Sequence, residues 1–420
     1  MVADAAALDA TVPGGARAVA RCDALGVAPY SDMAGGLFRA YLSPAHMAAL
    51  STLTGWMEEA GMVVRRDAAM NLIGRYDGSD PTLPALLIGS HIDSVRDAGR
   101  YDGPLGVMLG VEVVAALHAS GQRLPFAIEV IAFGDEEGSR FPTAMLTSRA
   151  VAGTLAPEAL AIADGDGVAL ADLIDVSAFT SAAYPPGSAL AYLEAHIEQG
   201  PVLEAAGLAV GNVTGVAAQH RYRVRCTGSA GHAGTCAMPL RRDALAGAAE
   251  MILAVERIAR DDASDLVGTV GAITALPGAA NVIPGAVSFT IDLRCGDTAR
   301  HEAAARDVLA AITAIAGQRG LGIAIERIFE LPASPCDPAL MALLDSAIAA
   351  AGQPVHRLVS GAGHDAISLS ALCPTAMLFI RCRGGVSHNP AEYVDPLDAD
   401  VALRVMRGFT EKLGASLARH

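Results

Sequence analysis

Apolar and polar positions along the chain switch between two periods, and the switches divide it into elements. Ala16 to Leu25 and Pro44 to Ala60 repeat apolar residues at helical spacing and predict two helices, with Gly35-Gly36-Leu37-Phe38-Arg39 as a loop between them. Met62-Val63-Val64 and Asn71 to Tyr76 predict short strands. The turn-rich run Asp77-Gly78-Ser79-Asp80-Pro81 then leads into Ala85-Leu86-Leu87-Ile88, an apolar run of the buried-strand kind. That strand is expected to end near Gly89. His91 and Asp93 then fall in a loop at its C-terminal end, where open α/β sheets build their sites. After Asp102-Gly103-Pro104 the spacing of Val107, Val111, Val114 and Leu117 predicts a helix with one apolar face. Ala127 to Phe133 predicts a second central strand, ending in Gly134-Asp135-Glu136-Glu137-Gly138. Leu190 to Ala195 predicts a third, which delivers His196-Ile197-Glu198-Gln199-Gly200-Pro201. Pro374 to Ile380 predicts a fourth, followed by Ser387-His388-Asn389-Pro390.

Around Gly211-Asn212-Val213-Thr214-Gly215 the pattern shifts, and from there to about Glu330 it reads as a separate α/β unit. Strands are expected near Arg221–Cys226, Val267–Ile273 and Val287–Leu293, and helices near Arg242–Ile258 and Thr298–Ala316. The expected organisation is one domain made of 1–213 and 331–420, interrupted by a smaller one over 214–330. The Ala-rich stretch 150–185 carries Asp164-Gly165-Asp166-Gly167, but the ligand spacing and closing Glu of an EF-hand are missing, so it reads as a surface loop joining helices.

Composition narrows the class. With 52% hydrophobic and only 4% aromatic residues over 420 positions, the chain can bury a large core made mostly of Ala, Val, Leu and Ile. A net charge of -15 argues against nucleic acid or an anionic membrane as partner. The seven cysteines form no C-x-x-C pair and are odd in number, which suits free thiols in a reducing compartment. Met1-Val2-Ala3-Asp4 opens without a basic or apolar targeting signature, and no apolar run approaches the ~18 residues of a membrane span. A soluble cytoplasmic protein is expected.

The chemistry gathers at strand ends. His91 with Asp93 and Asp102, Glu136 with Glu137, His196, and His388 are all nitrogen or carboxylate ligand types, and this set without thiolate suits Zn or Mn. Taken singly, each has an ordinary explanation: a His after a strand is commonly a hydrogen-bonded surface residue, and an acidic pair is commonly a solvated loop. What departs from the ordinary is that all four groups follow apolar runs. Three His, one Asp and one Glu are too many for one tetrahedral ion with an open position. They fit two ions sharing a carboxylate, with Asp102 as the bridge. Asp93 would then accept from the other imidazole nitrogen of His91 as an outer partner. In the Glu136-Glu137 pair one carboxylate can bind metal while the other moves a proton.

With these residues identified, the chain resembles the hydantoinase/carbamoylase branch of the M20 metallopeptidase superfamily: allantoate amidohydrolases, N-carbamoyl-L-amino acid hydrolases and β-ureidopropionases. The resemblance rests on Gly89–Val95, Gly99–Val107, Asp135–Phe141, His196–Glu204, Gly231–Thr235 with Arg241–Leu245, Asn281–Pro284, Asp292–Arg294, Ser360–Ala366 and Ser387–Glu392. It implies an α/β catalytic domain with a central mixed sheet flanked by helices, plus an inserted lid and dimerisation domain. It implies two divalent metal ions, one held by His91, Asp102 and His196 and the other by Asp102, Glu137 and His388, with Glu136 as general base. It further implies His232, Asn281 and Arg294 as residues that the inserted domain contributes to a homodimeric partner's site. His232 would act on the oxyanion, Asn281 and Arg294 on a substrate carboxylate, and Gln199 and His364 would complete a polar wall.

The implied reaction is hydrolysis of the ureido C–N bond of a small carboxylate. Three departures from the common pattern (Arg96-Asp97-Ala98, Thr235-Cys236-Ala237-Met238 and Arg381-Cys382) bear on substrate identity. Arg96-Asp97-Ala98 and Arg381-Cys382-Arg383 resemble the allantoate subgroup, so allantoate is the favoured substrate, with N-carbamoyl-L-amino acids or N-carbamoyl-β-alanine as alternatives. A peptidase of the same superfamily would be set apart by an acidic ligand at the position of His196. A non-catalytic binding homologue would be set apart by a lost ligand, and none is lost.

Overall fold

The computed structural model describes residues 12–417, so the opening residues Met1–Asp4 lie outside it. The chain divides into two compact units. The first comprises Met1–Thr214, Cys336–Leu358 and Gly363–His420; the second comprises Gly215–Pro335 and Val359–Ala362.

In the first unit, helices α1 (Gly15–Leu25) and α2 (Pro44–Glu59) precede the strands β1 (Val63–Arg66), β2 (Leu72–Tyr76) and β3 (Ala85–His91). Helix α3 (Pro104–Ala119) crosses over to β4 (Ile128–Phe133), and β5 (Ala189–Ile197) and β6 (Val210–Val216) follow. The sheet order is β1, β2, β4, β3, β5, the Thr375–Ile380 strand, then β6. Its four central members, β4, β3, β5 and Thr375–Ile380, run parallel, while β1, β2 and β6 pair antiparallel. All four parallel strands therefore end at the same edge, and the segments following them converge although the sequence scatters them from residue 91 to residue 388. Ala85–His91, Ile128–Phe133 and Thr375–Ile380 are buried at every position, as strands covered on both faces must be.

Two expectations need correcting here. His91 is the last residue of β3 and His196 lies within β5, so both histidines are ladder residues and not loop residues. Helix α3 has no polar face: its residues are buried almost all round, and even Glu112 is buried, paired with Arg17 at 2.9 Å and Arg21 at 3.1 Å. The helix lies flat on the sheet because its glycines leave room. A Cβ on Gly106 would fall 2.0 Å from the Ala195 carbonyl oxygen, and one on Gly110 would fall 3.0 Å from Ile88. The stretch 150–185 forms short turns of helix over a satellite core of Phe141, Leu146, Leu170 and Phe179. Within it Asp164 closes a turn, its Oδ1 accepting Asp166 N and Val168 N while Oδ2 pairs with Arg140.

The second unit is an antiparallel sheet backed by two helices. Ala218–Thr227 is flanked by Ala286–Cys295 and Gly322–Leu331. The first two alternate buried and more exposed positions, as strands with one covered face do. Val224, Phe289 and Ile291 meet Met251 of the Ala244–Arg260 helix and Val308 and Ile312 of the Thr298–Gln318 helix. Asp243 and Asp297 cap those helices through backbone N–H groups. The single strand expected over Val267–Ile273 is two, Val267–Thr269 and Ile273–Leu276, which pair with different stretches of Ala286–Cys295. The Gly322–Leu331 strand has no counterpart in the sequence expectation, because its ragged burial gives little alternation to read. All seven cysteines are free. No helix among the described residues is long and apolar enough to cross a membrane.

Candidate metal centre

Asp102 sits in the turn between β3 and α3, and its two carboxylate oxygens face different partners. Oδ1 lies 3.5 Å from His91 Nε2 and 3.1 Å from His196 Nε2. Oδ2 lies 3.4 Å from His388 Nε2, which is also 3.5 Å from Glu137 Oε1. His91, Asp102 and His196 thus form one group of ligand atoms, and Asp102, Glu137 and His388 a second; His91 also meets Glu136 and Glu137. The first group is buried, with His91 and His196 each 1% exposed. The second opens to solvent at His388, whose side chain is 49% exposed.

Local structure explains the placement. His91 and His196 are delivered by neighbouring parallel strands. Gly103, at φ 81, turns the chain so that Asp102 points back at them, and a Cβ there would come 2.4 Å from the His91 ring. His388 and Gln199 also hold left-handed backbone, at φ 54 and 57, conformations that non-glycine residues adopt at some cost. Asp93 accepts the backbone N–H of Glu136 on Oδ1 at 3.1 Å and that of Glu137 on Oδ2 at 3.2 Å, so it shapes the turn that presents both glutamates. Its Oδ1 is 3.5 Å from His91 Nδ1, which also bonds the Asp93 carbonyl at 3.2 Å.

The donor set can be tested for cations directly. His196 Nδ1 donates to the Ile197 carbonyl at 2.8 Å and His91 Nδ1 to that of Asp93, which leaves both Nε2 atoms as lone-pair donors. Those two atoms face each other at 3.5 Å across the Asp102 carboxylate. Lone pairs and a carboxylate converging in a buried space repel unless positive charge lies among them, so the residues fit divalent ions. The titration behaviour agrees. Burial, reinforced by Glu137 and Asp365, pushes Glu136 well above the usual carboxylate range. Burial and Asp102 push Glu137 up to about 8. Burial opposes charge on Asp102 too, but in the ion-free state His196 and His91, whose own pKa values Asp102 raises against burial, carry the protons that hold it well below its ordinary value; a divalent ion would take the place of those protons.

Other expected residues take varied positions. Gln199 donates its amide to Asp102 Oδ2 at 2.8 Å and to Ser387 Oγ at 3.2 Å, leaving its Oε1 buried without a hydrogen-bond partner. The His364 ring packs edge-on to His196 at 4.5 Å, and burial, with His196, holds its pKa well below the ordinary value. In the second unit, His232 and Asn281 are exposed neighbours: His232 pairs with Val282, and Ala233 N donates to the Asn281 carbonyl. Arg294 lies elsewhere in that unit, with Nε and Nη2 each 2.9 Å from the Asp292 carboxylate and Nη1 on the Gly361 carbonyl.

Several residues at the centre escaped the sequence reading. Ser387 donates to Asp102 Oδ2. Glu392 is buried beneath the Asp102 turn. Glu194 accepts from Ser90 Oγ and Ala366 N, and beside it burial pushes Asp365 up to about 8. Arg39 is wholly enclosed and donates to the carbonyls of Leu25, Tyr30 and Ile92. An acid inside the apolar run Leu190–Ala195 was the one available signal for Glu194.

A buried pair of imidazoles and a shared carboxylate at the carboxyl ends of parallel strands form a site fit for divalent ions. The match to known proteins is specific. Residues 87–412 match the Peptidase family M20/M25/M40. The chain is 42% identical to Allantoate deiminase 1 of Glycine max over 91% of its own length and 86% of that protein's. It is 41% identical to the N-carbamoyl-L-amino acid amidohydrolase of Geobacillus stearothermophilus over 89% and 92%. Among solved structures, an amidase of the hydantoinase/carbamoylase family from Burkholderia multivorans superposes with a TM-score of 0.88 at 35% identity, covering 94% of this chain and 97% of that one. The chain belongs to the M20/M25/M40 family, in its hydantoinase/carbamoylase amidase branch, and is a hydrolase acting on amide C–N bonds.

Proposed function

We propose that this protein hydrolyses the ureido C–N bond of a small carboxylate, with allantoate as the favoured substrate. The observation that carries the reading is Asp102, whose two oxygens each complete a different ligand group. It is supported by 42% identity to a plant allantoate deiminase over most of both chains. In this reading His91, Asp102 and His196 hold one divalent ion, and Asp102, Glu137 and His388 the other. The pair, Zn or Mn, supplies Lewis acidity at the substrate and acidifies a water.

The chain's own residues do the rest. Glu136, buried and with its pKa raised, is suited to take the proton from the attacking water and hand it to the leaving nitrogen. The C–O bond forms at the ureido carbon, the C–N bond breaks, ammonia leaves, and the remaining carbamate releases carbon dioxide. His364, kept neutral, and Gln199 form a polar wall without adding charge. His232 stabilises the oxyanion, and Asn281 and Arg294 hold the substrate carboxylate, in a homodimer whose smaller unit (214–330 by sequence) acts as lid and dimerisation domain. The expected compartment is the cytoplasm.

The test is product release by Zn- or Mn-loaded protein offered allantoate, an N-carbamoyl-L-amino acid, N-carbamoyl-β-alanine and a dipeptide. Ammonia from allantoate in preference, abolished in Glu136→Gln, is the expected result. Preference for a carbamoyl amino acid would reassign the substrate within the branch. Dipeptide cleavage without ureido turnover would replace the reading with a peptidase.

A further inference from the structure

We propose that Glu392 is a positioning residue that sets the aim of Asp102 and thereby governs the binding of both ions at once. The inference rests on the two-ion reading above. Glu392 is 5% exposed, and its Oε1 accepts two consecutive backbone N–H groups, Tyr101 N at 2.8 Å and Asp102 N at 3.1 Å. Two donors on one oxygen fix two successive peptide planes, and those planes set the direction of the Asp102 Cα–Cβ bond. The approach needs a residue without a side chain beside it: a Cβ on Gly99 would lie 2.2 Å from Glu392 Cδ.

Glu392 is itself anchored. Its N–H donates to the Asn389 carbonyl at 3.0 Å, and Asn389 Oδ1 accepts Ala391 N at 2.9 Å, which closes the turn after His388. One short segment therefore addresses Asp102 in three ways. Ser387 donates to Oδ2, His388 Nε2 stands 3.4 Å from Oδ2, and Glu392 holds the main chain. Because Asp102 belongs to both ligand groups, an error in its direction is shared by both. Glu392 belongs to neither ligand group; it acts through the backbone of Asp102, which belongs to both.

The experiment measures Zn and Mn affinity by competition with a chromophoric chelator, and ion content by elemental analysis. The proteins are full-length wild type, Glu392→Ala, Glu392→Gln, Gly99→Ala and the Glu392→Ala/Gly99→Ala double variant. Circular dichroism and melting of the metal-free proteins report folding. Loss of outer partners of metal ligands typically costs about 10–100-fold in affinity. Glu392→Ala is expected to weaken both ions together by that order. Glu392→Gln, which keeps the accepting oxygen, should stay within a few-fold of wild type. Gly99→Ala should mimic Glu392→Ala by displacing the carboxylate without altering a charge. The double variant should be no worse than the worse single, since both act on the same two hydrogen bonds.

Wild-type affinity in folded Glu392→Ala, a loss confined to one ion, or additive losses would each overturn the proposal. Should Glu392→Ala fail to fold, Glu392→Gln and Gly99→Ala decide: equal affinity in wild type and folded Gly99→Ala sinks it. Failure of wild type to take up two ions is a different result and counts against the two-ion reading instead.

Discussion

His91 and His232 are the same side chain in opposite circumstances. His91 ends a strand covered on both faces, and its ring nitrogens are committed to the Asp93 carbonyl on one side and to the space before Asp102 and His196 on the other. His232 ends a two-residue strand, is exposed, and its Nδ1 accepts from Gly234 N, two residues along. Asp102 and Arg294 repeat the contrast. Asp102 is held by Gln199, Ser387 and Glu392, which lie 97, 285 and 290 positions away. Arg294 is held chiefly by Asp292, on its own strand, with one further bond to the Gly361 carbonyl. Of these four side chains, the two in the candidate metal groups are buried and locked by tertiary contacts, whereas His232 and Arg294 take their main contacts from neighbours in sequence and are less buried.

Substitutions in the two regions are expected to separate. The largest effect is expected from Glu136→Gln, a fall in kcat of about 10²–10⁴-fold with both ions retained, as removal of a general base predicts. Loss of ions in that variant would mean that the glutamate is a ligand. Next comes the histidine pair. His91→Ala should abolish tight binding at one ion position, while His232→Ala should leave ion content and melting temperature unchanged and lower kcat by about 10²–10³-fold. Metal loss in His232→Ala would break the comparison.

Smaller still, Arg294→Lys should raise KM with kcat nearly unchanged, since a hydrogen bond to a charged group is worth about 1.5–3 kcal/mol. A matching fall in kcat would place Arg294 in the reacting geometry. The last effect is on stability and not on turnover. Burial holds His46 down to about 3, with Arg39 and Arg66 adding to the shift. A depressed histidine contributes stability that is complete above its unfolded value near 6.5 and is lost as pH falls toward 3. His46→Phe should therefore flatten the decline of stability between those pH values, a slope of at most about 1.4 kcal/mol per pH unit. An unchanged slope by chemical denaturation would count against it.

The strand ends were legible because each polar residue follows an apolar run that could only be a buried strand. The topology did the remaining work of bringing them together. Glu392 and Arg39 were not legible, because their partners are backbone N–H and C=O groups, which every residue carries and no side chain announces. The apolar face of helix α3 was legible, but its burial beyond that face was not, because Glu112 is neutralised only by Arg17 and Arg21, nearly a hundred residues earlier. Arg294 was legible as a cation at a strand end that could pair with an Asp, and it does pair with Asp292, which shares its face of the strand two residues away.

The Thr375–Ile380 strand lies between β5 and β6, which are close together in sequence. On a ribosome, residues 217–374 must be made before that seat is filled, which at about 5–20 residues per second takes roughly 10–30 s. Through that interval β5 and β6 each present an unpaired edge, the kind of edge that recruits foreign strands. His388, the last of the proposed ligands, emerges later still. In the two-ion reading, ion loading therefore follows synthesis of that last segment, and the unpaired edges make the interval before it the aggregation-prone one.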